Sequence, residues 1–242
     1  MTHLPRTAAL LLLSTAALSG CHRDGGSGSG DKKPAPAAVT LEVPHVTGPI
    51  KLDGEATEED WHHAGRSLAF VDTEGVEARP YSEARFLWDE ESLYIVLYAA
   101  DDNIRAEIKD HDGPVWLDDA FSLRLVPSSL PPGQAYLIDV SAGGVITDAK
   151  LGADGKRDLS WESGMKVAVD TDGTINNPKD EDEEWVVEAA LPLRSLGLKG
   201  APGEKLTIEI SRCDTPRAGG PKRCGSYGGA KSPRTLVLAA KK

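Results

Sequence analysis

The chain has 242 residues, with 38 Asp and Glu against 27 Lys and Arg and a formal charge of -11 at pH 7. That acidity argues against nucleic acid as a partner and against docking on anionic lipid by charge. The length allows one domain with a single core and requires no second one.

Residues 1–20 carry basic Arg6, the apolar run Ala8 to Leu13, and then small residues. This is the pattern of a secretory signal, too short to span a membrane, and it is set aside from fold reasoning. The charge becomes -12 once Arg6 leaves with it. Leu18-Ser19-Gly20-Cys21 resembles the lipobox of bacterial lipoproteins. The resemblance implies cleavage before Cys21 and acylation of that residue, which places the chain in the bacterial cell envelope, lipid-anchored, at the outer membrane or facing the periplasm. Several acyl chains hold firmly where one holds marginally, so the membrane is a partner through the anchor only. Residues 21–40 then read as a tether, flexible in GGSGSG and stiffer in Lys33-Pro34-Ala35-Pro36.

From residue 41 to 242 the pattern is that of one domain of short strands. Leu41 to Val46 and Ile50 to Leu52 read as strands, and Asp53-Gly54 as a turn. Thr57 before Glu58, Glu59 and Asp60 predicts a capped helical turn that carries Trp61 as a core plug. Phe86 and Trp88, then Leu93 to Ala99, alternate as a hairpin around Asp89-Glu90-Glu91. After a polar interruption from Asp101 to Pro114, Phe121, Leu123 and Leu125 predict a third strand neighbouring that hairpin, with Trp116 just ahead of it. Tyr136, Ile138 and Val140 predict another strand, Gly143-Gly144 a turn, and Val145 to Leu151 the return. Ser163 to Val169 and Glu184 to Leu191 alternate on either side of a polar loop from Asp170 to Glu183. A helical turn over Leu193 to Leu196 is bracketed by Pro192 and Gly197; Leu206, Ile208 and Ile210 form a penultimate strand, and Leu236 to Leu238 the last. About ten short strands without amphipathic helices predict an all-β fold, a two-sheet antiparallel β-sandwich of immunoglobulin-like or jelly-roll-like type. Trp88 and Trp185 lie inside alternating strands and are assigned to the core.

Three Cys is an odd count for an exported chain. With Cys21 acylated, Cys213 and Cys224 are left to pair as a disulfide across a Gly/Pro-rich loop, a stabilisation on the order of 2–3 kcal/mol in the loop-entropy account. A metal pair is the alternative, with no nearby His to complete a zinc set.

The ordered set Ile50-Lys51-Leu52-Asp53-Gly54, Trp61, Phe86 to Asp89, Leu93 to Val96, Asp101-Asp102, Trp116 to Asp119 and Trp185 to Leu193 resembles the family 9 carbohydrate-binding modules, of the DOMON-like superfamily. The likeness covers residues 48–240. It implies non-catalytic binding of a poly- or oligosaccharide by a monomer, with a role in carbohydrate catabolism. In that family two aromatic side chains clamp the terminal sugar; Trp116 matches the first, and Tyr227, among glycines, is the nearest candidate for the second. A flat ring covers the apolar face of a sugar while polar groups meet its rim. The candidate binding set is Trp116, Tyr227, Tyr136, Asp139 and Ser122. Two positions depart from the family's pattern: Ser122 stands where sugar-binding members place a Glu, and Asp139 where they place an Arg.

No cofactor is required by this reading. Family members hold structural calcium with loop oxygens, which makes Asp101, Asp102 and Asp118, with Asp112 and Asp119 near them, candidate ligands; a solvated acidic loop is the alternative. Nothing in the chain matches a hydrolase motif, so no catalytic residue is assigned. His62 and His63 read as exposed, and His45 and His111 as isolated. Three further readings stay open: a ligand-less scaffold lipoprotein of the same fold, a module acting beside a glycoside hydrolase, and a haem-binding sandwich that uses Met165. For the anchor, metabolic labelling with a palmitate analogue is expected to mark the chain, and Cys21→Ser to abolish both the label and partitioning with membranes.

Overall fold

A computed structural model describes residues 39–229 and 232–241. The signal segment, Cys21 and most of the tether lie outside the described residues. The strands in chain order are β1 (Val39–Val43), β2 (Gly65–Arg66), β3 (Ser82–Trp88), β4 (Ser92–Ala100), β5 (Ala120–Pro127), β6 (Ala135–Ser141), β7 (Ile146–Leu151), β8 (Arg157–Asp158), β9 (Lys166–Asp172), β10 (Glu184–Pro192), β11 (Lys205–Asp214), β12 (Arg223–Tyr227) and β13 (Arg234–Leu238). Short 3-10 turns cover Glu59–His63, Val115–Leu117 and Leu193–Leu196.

The strands form two sheets, as expected. The larger runs β1-β13-β11-β5-β6-β7-β8 with β12 also paired to β11, and the smaller runs β2-β3-β4-β10-β9. Neighbours are antiparallel except β1 with β13, which is parallel. The predicted hairpin is β3 with β4. The strand expected beside it, β5, lies in the opposite sheet, because the nineteen-residue excursion from Asp101 to Asp119 carries the chain across the sandwich instead of folding back. Alternation told which side chains point inward; it could not say which sheet a strand joins.

The inner faces meet in one apolar core. Phe121, Leu123, Leu125, Ile138 and Ile210 from the large sheet face Phe86, Trp88, Ile95, Trp185 and Val187 from the small one, all nearly or fully buried. The rings of Phe121 and Trp185 stand 5.0 Å apart and tilted. Trp88 and Trp185 are therefore core residues, as their alternation requires. The outer face of the small sheet has a core of its own, in which Trp61, Leu87 and Val96 are closed over by Val46, Ile50 and Ala56. The Trp61 indole donates to Glu188 Oε1 at 3.0 Å, and the backbone N–H groups of Asp53 and Gly54 donate to Glu188 Oε2 at 3.1 Å each. The Asp53-Gly54 turn is thereby pinned to β10, and at φ 90° Gly54 leaves no room for a side chain: a Cβ would sit 2.6 Å from the Asp170 nitrogen. The helical turn under Trp61 starts from Glu58 with no side-chain cap, where Thr57 was expected to provide one, and Ile50 to Leu52 is not a strand. The first strand begins two residues ahead of the expected boundary at 41.

At one end of the core polar groups replace apolar ones. Arg212 on β11 is buried and donates to Asp101 at 2.7 Å, Asp214 at 3.4 Å and the Ser82 hydroxyl at 3.3 Å. Asp101 also accepts the Trp185 indole N–H at 3.0 Å, and the guanidinium carbon lies 5.7 Å from the centre of the Trp185 ring. Asp214 accepts from Arg223 Nε at 2.8 Å. Asp119 is the third carboxylate of this group; it accepts the Arg105 N–H at 2.8 Å. Burial, and next the charge of Asp101, push its carboxyl up to about 7. Below that pH Asp119 carries a proton, and two carboxylates balance two guanidinium groups. Cys213 and Cys224 form the expected disulfide, joining paired positions on β11 and β12 beside this cluster.

Two outcomes follow from the buried cluster. Replacing Arg212 by Met leaves buried Asp101 without its cation and Asp214 with Arg223 alone, and should cost about 3–5 kcal/mol in urea unfolding. The Asp119 proton is held more tightly in the folded state than in the unfolded one, so its stabilisation is complete below about pH 4 and is lost as pH rises through about 7. The melting temperature should fall between pH 5 and pH 8, with a shallower slope in Asp119→Asn.

Candidate functional site

The outer face of the large sheet carries a groove of about 190 Å³ across β11, β5 and β6. Side chains that alternate away from the core form its floor in two cross-strand rows. Ser211, Ser122 and Asp139 are register partners in one row, and Glu209, Arg124 and Leu137 in the other. Because strand residues alternate between faces, burying Phe121 and Ile138 obliges Ser122, Arg124 and Asp139 to face outward.

The wall is supplied by Trp116 and Arg157. Trp116 sits in the turn Val115–Leu117, where fully buried Val115 anchors the backbone and leaves the indole 46% exposed. Acidic side chains fix that loop by accepting backbone N–H groups: Asp118 from Ile108 at 2.8 Å and Asp119 from Arg105 at 2.8 Å. Lys222 Nζ donates to the Leu117 carbonyl at 3.2 Å and ties the loop to the segment ahead of β12. Arg157 lies over the indole, its guanidinium carbon 5.2 Å from the ring centre, and reaches Asp139 Oδ2 at 3.8 Å. Asp139 is 5% exposed, and burial pushes its carboxyl above the usual carboxylate range, with the Ser122 hydroxyl and Arg157 offsetting part of that.

Three of the five expected binding residues therefore converge: Trp116, Ser122 and Asp139. Two do not. Tyr227 ends β12 facing inward, 7% exposed, stacked on Phe70 with ring centres 6.5 Å apart, and so fills the core. The loop reading failed because pairing of β12 with β11 puts residue 227 opposite Ile210, an inward position. Tyr136 also belongs to the inner row of β6; it stacks on Trp161 at 4.4 Å, which makes both of them edge packing. Met165 is buried in the main core.

Reasoning from sequence missed Arg124, Arg157, Glu209 and Ser211. For Arg124, Glu209 and Ser211 the signal was present, since each is an outward residue flanked by inward apolar ones on a well-marked strand. For Arg157, on a strand of two residues, there was none. The two departures from the family pattern, Ser122 and Asp139, prove to be direct cross-strand neighbours.

Of the five calcium candidates, Asp101 and Asp119 come together. Among the described residues, Asp101 is grouped with Asp119 and Asp214, not with Asp102 and Asp118. One Asp101 oxygen already accepts from Arg212 and Trp185, and the other from the Asn103 N–H at 3.0 Å. A hard cation needs oxygens that no fixed cation neutralises, and here a guanidinium fills that role.

A second cavity, of about 470 Å³, opens beside His45, Asp60, His63 and Lys241. It is larger than the groove but has no Trp, Tyr or Phe in its lining. Among the described residues no helix is long and apolar enough to cross a membrane.

Sandwich and groove together define a β-sandwich module whose outer sheet face carries an aromatic wall over a polar floor. A family model, carbohydrate family 9 binding domain-like, matches residues 52–228, and the chain belongs to that family. A comparison with curated proteins finds none that matches. Among solved structures it is similar to a candidate carbohydrate-binding protein from Bacteroides uniformis, with a TM-score of 0.63 and 14% identity over 84% of this chain and 100% of that one. It is similar also to a family 9 carbohydrate-binding module from Caldicellulosiruptor kristjanssonii. In complex with cellotriose, that module gives a TM-score of 0.57 and 12% identity over 84% of this chain and 95% of that one. In complex with glucose the values are 0.59 and 12%, over 84% and 97%. At these identities the likeness establishes the fold.

Proposed function

We propose that this chain binds carbohydrate without transforming it, and that the outer-sheet groove is where it does so. The observation that carries the reading is the half-exposed Trp116 indole standing over a floor of hydroxyl, carboxylate and guanidinium groups. A sugar ring offers C–H surface to an indole and hydroxyls to Ser122, Asp139, Arg124 and Glu209. Covering roughly 50–80 Å² of apolar sugar surface contributes on the order of 1–2 kcal/mol at about 25 cal/mol/Å². The groove is smaller than the roughly 300–1,000 Å³ of drug-sized sites, so it suits one sugar ring, such as a chain end.

Among the described residues no second aromatic ring lines the groove. Arg157 lies against the indole instead, so an incoming sugar either displaces it or is held between guanidinium and ring. Family membership supports the saccharide class, and the Caldicellulosiruptor kristjanssonii module with cellotriose and glucose makes β-linked glucans and glucose the first probes. With the anchor expected at Cys21, the module would hold glycan close to the cell envelope, as part of carbohydrate breakdown carried out by separate enzymes.

A glycan array on the full chain is expected to give binding that falls roughly tenfold in Trp116→Ala, the equivalent of about 1.4 kcal/mol. Tyr227→Phe should leave it unchanged. Affinity that survives the loss of Trp116 intact would place the sugar elsewhere and reject the groove.

A further inference from the structure

We infer that His111, Asp148 and Glu162 form a site for one divalent transition-metal ion of zinc type, separate from the groove. One ligand atom from each of the three lies within 4.8 Å of the others. His111 Nε2 is 3.2 Å from Glu162 Oε2 and 3.7 Å from Asp112 Oδ1. Tetrahedral bonds of about 2.0–2.1 Å set neighbouring ligand atoms roughly 3.3 Å apart, so these side chains stand close to coordinating distance already.

The independent sign of a missing partner is Asp148. It is 2% exposed, its Oδ2 accepts the Ser163 N–H at 2.8 Å, and its Oδ1 is buried with no hydrogen-bond partner among the described residues. A buried carboxylate oxygen left unpaired is costly, and native proteins rarely tolerate one. The Ser163 contact fixes the carboxyl in the manner of the outer hydrogen bonds that orient metal ligands. An imidazole nitrogen with two or three carboxylate oxygens is a set for zinc and its neighbours, whereas calcium takes six to eight oxygens.

Topology explains why these residues meet. β8 pairs with β7 only at Lys150 and Leu151, which leaves the β7 edge open towards its start. The loop ahead of Trp116 fills it: Asp112 N–H donates to the Ile146 carbonyl at 3.1 Å, and Asp148 N–H to Asp112 Oδ1 at 3.3 Å. The segment after β8 brings Glu162 to the same edge. A bound ion would therefore clip together the loop that bears Trp116 and the connection that follows β8 and its Arg157, without touching the groove floor.

The test uses the full chain stripped with chelator and titrated with zinc chloride in a calorimeter, with no saccharide present. One equivalent should bind with Kd below about 10 μM, and the melting temperature should rise relative to chelator by mass action. His111→Ala and Glu162→Gln, both at exposed positions, should each weaken binding at least tenfold, as should Asp148→Asn; the paired exposed substitutions His62→Ala and His63→Ala should not. Unchanged melting with zinc, affinity that survives His111→Ala and Glu162→Gln, or calcium binding tighter than zinc would each overturn the assignment.

Discussion

A single guanidinium sealed between the two sheets holds this molecule to its arrangement. Arg212 leaves the large sheet and meets Asp101 at the end of β4, Ser82 at the start of β3 and the face of Trp185 on β10, all in the small sheet. Apolar faces can slide over one another at little cost, but a buried ion pair tolerates no displacement, because each partner alone would carry an uncompensated charge. The cluster also sets the start and the end of the excursion between β4 and β5. Asp101 begins it and Asp119 ends it, and both are bound into the same group. Trp116 rides on that excursion, three residues before its anchored end.

The groove depends on the same division of labour between strand and loop. Its floor is rigid, since every second residue of β5, β6 and β11 faces outward once the others are buried. Its Trp116 wall comes from a short turn held at Val115, at the Asp118 and Asp119 carboxylates and by Lys222. The resemblance to family 9 modules calls for an acid and an arginine at the rim, in positions where this chain has Ser122 and Asp139. Both kinds of charge are nevertheless present, with the acid supplied by Glu209 on β11 and the guanidinium by Arg124 on β5 and Arg157 on β8.

Much of this was legible from residues alone. The β3–β4 hairpin, the β6–β7 hairpin around Gly143-Gly144, the turn ending at Gly197, the core placement of Trp61, Trp88 and Trp185, and the Cys213–Cys224 pair all rest on local chemistry: alternation, turn residues, or the count of thiols. Where reading failed, the deciding contact was distant. Tyr227 looked like a loop residue because its glycine neighbours hid β12, a strand formed by pairing with distant segments, β11 and Val71. His111 looked isolated because its neighbours Asp148 and Glu162 are 37 and 51 positions away.

Local sequence, then, was sufficient to say that this is an all-β sandwich and which side chains point into it, because a period of two and the turn preferences of Gly, Pro and Asp act over a few residues at a time. Which sheet each strand joins, which of two exposed-looking aromatics stays exposed, and which carboxylates share a guanidinium or an open edge were settled only by the packed molecule. Those outcomes depend on burial and on charges brought within a few ångströms across many intervening residues, and neither quantity exists until the two sheets close.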